Sequence, residues 1–202
     1  MRTKGIFCLE GHWEKRLNRK STVEPILNLL EKQEKIRYIH HKCATKEEVT
    51  YLLLKWTQST YKSYPILYFA FHGRPGEFQI NTNETLELAE LADVLENKCR
   101  NRFMFFAACQ VLSIPKRRIT DLLKKTKSLG VCGYNSEVDW MLSTAFELLV
   151  LFALQNDSFD AKGMNLIRNK IRNDYTKVSD ALDFKMVTKN DSVMKSGKNN
   201  AR

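Results

Sequence analysis

His72 and Cys109 are the residues of this chain whose type and setting carry chemistry. An imidazole can move a proton near neutral pH, and a thiol that loses its proton is a strong nucleophile. Each closes an apolar run, "PILYFAFHG" starting at Pro65 and "RFMFFAAC" starting at Arg102. Runs of that kind read as buried strands, so each is a rigid stalk that delivers its last residue to the strand's end. If the two strands are neighbours, about 5 Å apart, the imidazole and the thiol face each other across a narrow gap. The chemistry such a pair performs is acyl transfer, with the thiolate attacking and the imidazole supplying and removing the proton. Gly73 leaves a backbone N–H able to approach a substrate closely, and with the N–H of Cys109 it would hold a developing oxyanion. A buried cysteine or a strand-end histidine alone is usually packing. The two placed together are far more specific.

The elements that must position this pair alternate along the chain. Apolar runs "KGIFCL", "KIRYIHH", "PILYFAF", "RFMFFAAC", "LGVCGYN" and "LDFKMV" are separated by helical patterns. That alternation predicts an α/β fold, a three-layer sandwich around a mostly parallel sheet of about six strands. "STVEPILNLLEKQEK", with Ser21 and Thr22 as cap candidates, and "ATKEEVTYLLLKWTQST" read as amphipathic helices. "LAELADVLENKCR", "IPKRRITDLLKKTK", "DWMLSTAFELLVLFALQ" and "DAKGMNLIRNKIRNDY" supply four more, the third apolar enough on all sides to lie deep in the core. "GEFQINTNETLEL" predicts a small hairpin after the third strand. Residues 1–188 are expected to form one domain, and residues 189–202 a polar, flexible tail. Parallel strands point the same way, so function belongs at the edge where their C-terminal ends gather.

Other residues reach that edge. "CLEGHWEKR" places Glu10, His12 and Trp13 beyond the first strand, either as an ordinary loop with a capping tryptophan or as a substrate-pocket wall. Asp139 precedes a long helix, where capping is its first reading. "HHKC", His40 to Cys43, has metal-ligating residue types, but adjacent histidines do not converge on one tetrahedral ion, and these read as strand-end surface residues. Cys8, Cys99 and Cys132 read as packing, and no metal and no cofactor are expected.

Composition narrows the classes. The net charge of +10 comes from basic residues spread along the chain, without the clustered basic and aromatic pattern of specific nucleic-acid binding. Five cysteines without CxxC spacing argue against a disulfide framework, and no run is long and apolar enough for a membrane span. The expected setting is cytoplasmic. A nucleotide or phosphate binder is disfavoured, because "EGHWEKR" after the first strand has no glycine-rich phosphate cradle.

"YFAFHG" followed some three dozen residues later by "FFAAC" resembles the caspase-type cysteine peptidases, and within them the CHAT branch with its separase-like relatives. The turn in "GVCGYNSEVDWMLSTAFELL" is the third similar block, with Val138, Asp139 and Trp140 in permuted order, and the likeness extends from Lys4 to Phe184. It implies a caspase-like fold with Cys109 as nucleophile, His72 as general acid/base and Gly73 as a backbone oxyanion donor. Residues of the turn would help to shape the pocket for the side chain preceding the scissile bond. Glu10, Glu137 and Asp139 together would favour a basic one, and His12, Trp13 and Trp140 are further pocket candidates. Gln110 departs from the family's glycine-rich turn after the cysteine. The expectation is a regulatory or defence-related cysteine endopeptidase acting on a protein or peptide, with an activating protein partner. The alternative is a catalytically inactive caspase-like interaction module.

Overall fold

The computed structural model of the protein describes residues 3–14 and 21–193. In chain order the elements are β1 (Ile6–Glu10), α1 (Glu24–Glu34), β2 (Tyr38–Lys42), α2 (Lys46–Thr57), β3 (Ile66–Ala70), β4 (His72–Arg74), β5 (Glu77–Gln79), β6 (Thr85–Glu87) and α3 (Leu88–Val94). There follow β7 (Phe103–Ala107), α4 (Lys116–Thr126), β8 (Gly130–Tyr134), α5 (Trp140–Ala153), α6 (Ala161–Asp174), α7 (Thr176–Ala181), β9 (Phe184–Thr188) and α8 (Lys189–Val193).

The central sheet has the order β2-β1-β3-β7-β8-β9. Its pairs are parallel except β8 with β9, which is antiparallel. β1, β3, β7 and β8 are buried along their whole length, which is why their sequences are continuously apolar. Alternation along each strand divides these residues between two faces. Phe7, Leu67, Phe69, Met104 and Phe106 pack with Leu53, Trp56, Leu91 and Ile119 of α2, α3 and α4. Ile6, Ile66, Tyr68, Phe105 and Tyr134 pack with Leu27, Phe146, Val150 and Ile167 of α1, α5 and α6. The sandwich is therefore three-layered, as the sequence predicts.

The expected hairpin is β5 with β6, and β4 joins it to make a separate antiparallel sheet. His72 thus ends the apolar stalk and begins this second sheet.

Three expectations are corrected. α5 is not covered on all sides: Trp140, Leu142 and Phe152 are exposed, and Met141 is 72% exposed. Its Phe146, Val150 and Leu151 pack into the core on the α1 and α6 side of the sheet, so only one face of the helix is covered. The segment from Lys189 begins as the short helix α8, held by Asp191, whose carboxylate accepts from the Thr188 amide at 2.8 Å and pairs with Arg168 at 2.5 Å. Residues 194–202 of the expected tail lie outside the described residues. Cys43 is fully buried instead of lying at the surface, because the chain turns inward after the edge strand β2. Among the described residues no helix is long and apolar enough to cross a membrane.

Candidate active site

β3 and β7 are neighbours, with Ala70 level with Ala107. His72 and Cys109 each come two residues later, so both lie just beyond the same end of this strand pair. His72 and Cys109 line one pocket of about 230 Å³, together with Trp13, Phe71, Trp140 and Glu147. Cys109 is half-exposed, whereas Cys8, Cys43, Cys99 and Cys132 are buried. Burial pushes the thiols of those four up, to about 12 at Cys43 and Cys99, so none is poised to ionise near neutrality.

His72 is oriented by the loop after β1. Its Nε2 lies 2.9 Å from the Trp13 carbonyl oxygen. A carbonyl only accepts, so Nε2 carries the hydrogen and Nδ1 is the ring nitrogen left for proton exchange. The Trp13 indole stands edge-on to the imidazole at 5.2 Å and to Trp140 at 4.6 Å. Among the described residues no hydrogen bond joins Cys109 Sγ to the imidazole.

Gly73 meets a steric demand. A Cβ there would lie 2.4 Å from the Cys109 carbonyl oxygen and 2.5 Å from Val111 Cγ2, so only glycine lets β4 pass this close to the cysteine. The loop after Cys109 makes its turn without glycine, because Gln110 adopts φ 57° and its amide donates to the Ser136 carbonyl at 3.0 Å. The departure from a glycine-rich turn is thus absorbed by a left-handed glutamine.

The expected acidic residues do not line the pocket. Glu10 is wholly buried and accepts hydrogen bonds from Trp13 Nε1, from Thr22 Oγ1 at 2.7 Å and from the Val23 amide at 3.0 Å, while His40 Nε2 lies 2.6 Å away. Burial pushes its carboxyl up, but the bonds from His40, Trp13, Thr22 and Val23 outweigh it and the net shift is downward. Glu10 therefore holds the wall in place without being part of it. His12 and Glu137 are exposed and away from the pocket. Asp139 caps α5 by accepting from the Leu142 amide at 2.8 Å. Of the further candidates, Trp13 and Trp140 do line the pocket.

The match to the DUF6642 family, described as a family of unknown function, runs over residues 3–188, nearly the whole chain. The chain belongs to DUF6642. No curated protein matches this DUF6642 chain. Among solved structures it is similar to the crystal structure of Caspase-1 from Spodoptera frugiperda, with a TM-score of 0.54 and 13% identity, over 93% of this chain and 87% of that one. At that identity the likeness is one of fold, so the DUF6642 chain has a caspase-like fold, and the finer likeness to the CHAT branch has no counterpart in these comparisons.

Sequence reasoning missed the one acidic residue of the pocket lining in this DUF6642 member. Glu147 is a lone carboxylate inside "AFELLVLF", and in sequence it registers only as an interruption of an apolar helix. Its spacing from Trp140, two helical turns along the same face, is the signal that could have found it.

Proposed function

We propose that this chain is a cysteine endopeptidase working through a Cys109–His72 dyad. The observation that carries the reading is the shared pocket, in which the one half-exposed cysteine and an oriented histidine sit at matching ends of adjacent parallel strands. The caspase-like fold supports it at the level of architecture.

In this reading a peptide lies across the ends of β3 and β7. Cys109 passes its thiol proton to Nδ1 of His72, and the thiolate attacks the scissile carbonyl carbon, forming the C–S bond while the negative oxygen is held by the backbone N–H groups of Cys109 and Gly73. The C–N bond then breaks and the departing amine takes a proton from the imidazole through Nδ1. Water, losing its proton back to His72, attacks the thioester, the C–S bond breaks and the thiolate returns. Trp13 supplies the carbonyl that keeps His72 in the required tautomer, a task that falls to a backbone atom and leaves no sequence signature.

A second reading is an interaction module on the same scaffold. It is favoured by the lack of a hydrogen bond between Cys109 Sγ and His72 among the described residues. Two measurements separate them. Peptide cleavage should fall to background in Cys109→Ala and by about 10²–10⁴-fold in His72→Ala. A thiol-directed electrophilic peptide should label Cys109 ahead of the buried cysteines. Equal cleavage by all three proteins, or a Cys109 that stays unlabelled with cellular partners present, would leave the module standing.

A further inference from the structure

Glu147 is the one acidic residue in the pocket lining, and among the described residues it forms no ion pair. It is 4% exposed, and its carboxylate accepts from the hydroxyls of Tyr68 and Tyr134, the latter at 3.0 Å. Those two neutral donors are its hydrogen-bond partners among the described residues, and no lysine, arginine or histidine there forms an ion pair with it. This happens in a chain with 33 lysines and arginines. A buried carboxylate without a counter-charge is expensive, and it is kept where something else repays the cost.

The rest of the pocket matches a cation. Trp13 and Trp140 form adjoining aromatic walls 4.6 Å apart, and indole rings attract ammonium and guanidinium groups. The remaining lining is largely apolar and suits a methylene stem. An anion has little to bind, because in the first turn of α5 the Leu142 amide donates to the Asp139 carboxylate and the Ser143 amide to the Asp139 carbonyl. The volume of about 230 Å³ falls below the roughly 300–1,000 Å³ of sites for drug-sized ligands, and it suits a single side chain.

We infer that Glu147 is the charge at the base of a specificity pocket that takes a lysine or arginine side chain, the one preceding the scissile bond. The placement relative to the scissile bond rests on the peptidase reading, whereas the preference for a cation does not. Basic specificity was expected from Glu10, Glu137 and Asp139, and none of them faces the pocket.

Benzamidine, its neutral analogue benzamide and the anion benzoate test this without any turnover. Calorimetric titration of the full chain at about pH 8 should show benzamidine binding at least about tenfold more tightly than benzamide, with benzoate weakest. Glu147→Gln should abolish most of that preference, and the Trp13 and Trp140 fluorescence change on binding should disappear with it. Benzamide binding as tightly as benzamidine, or benzamidine binding unchanged in Glu147→Gln, would overturn the inference. Should Glu147→Gln fail to fold, the three ligands on the wild-type chain still decide it. Cation binding in a protein that cleaves no peptide would uphold the pocket and overturn the peptidase reading.

Discussion

Glu10, the last residue of β1, and Glu147, two turns into α5, are both buried, but Glu147 lines the pocket and Glu10 lies behind its wall. Glu10 is met by His40, Trp13, Thr22 and the Val23 amide, and its carboxyl is held below the usual range despite burial. For Glu147 burial comes first among the causes and two tyrosine hydroxyls do not outweigh it, so its carboxyl is pushed up to about 7. Two buried carboxyls are thus shifted in opposite directions, and the donors around each, set against the heavier desolvation of Glu147, decide which way. The carboxylate met by His40 and three further donors supports the wall, and the one met only by neutral hydroxyls lines the place where a ligand would sit.

The largest effect expected from this contrast is at Glu10. Glu10→Ala strands four groups that now converge on one carboxylate, and removing one member of a buried charged set costs on the order of 3–5 kcal/mol. Urea denaturation would measure it. A loss below about 1 kcal/mol would mean that Trp13, Thr22 and Val23 are held by packing alone.

Glu147 should show itself in the pH dependence of stability. Its carboxyl titrates near 4.5 when unfolded and at about 7 in the folded protein. Between those values the folded state keeps a proton that the unfolded chain has released, so stability falls as pH rises through the window and levels off above it, by about 3 kcal/mol in all. Tyr68 on β3, Tyr134 and Cys132 on β8 and Cys8 on β1 interact with it and are pushed up by burial, so they stay neutral throughout, and His72 and Cys109 share the pocket with it. Stability profiles of wild type and Glu147→Gln should therefore diverge from pH 4.5 to 7 and run parallel above. Parallel profiles across the whole window would place the raised ionisation elsewhere. Glu10, with its lowered carboxyl, acts in the opposite window: its stabilisation is present above pH 4.5 and is lost as pH falls through its folded value.

The contrast also marks what the sequence can reveal. β3 and β7 were legible because buried parallel strands must be continuously apolar, and His72 and Cys109 were legible because each interrupts such a run at its end. The three layers followed from alternation. Glu10 was noticed but given the wrong task, since a carboxylate's role depends on donors such as His40, thirty residues away in sequence and brought adjacent only by the β1–β2 pairing. Glu147 was read only as an interruption of an apolar helix for the converse reason, because its partners Tyr68 and Tyr134 lie on two strands across the core and each reads as an ordinary apolar-face residue. The Trp13 carbonyl that orients His72 is backbone, and no residue type announces it.

The smallest effect tests whether the two carboxylates are independent. Trp13→Phe keeps an aromatic ring against His72 and Trp140 but removes the Nε1 hydrogen that Glu10 accepts. Glu10 retains the Val23 amide, Thr22 and His40, so the stability cost should be about 1 kcal/mol, the net worth of one hydrogen bond. Losing a donor moves the Glu10 carboxyl back upward, so the acid limb of the stability profile should begin at higher pH. The fall between pH 4.5 and 7 should stay where it is, because Trp13 makes no hydrogen bond to Glu147. If that upper window moves as well, Trp13 couples the two sites and the wall-building and ligand-facing carboxylates are one electrostatic system, which the benzamidine titrations of Glu10→Ala would then report as a change in affinity.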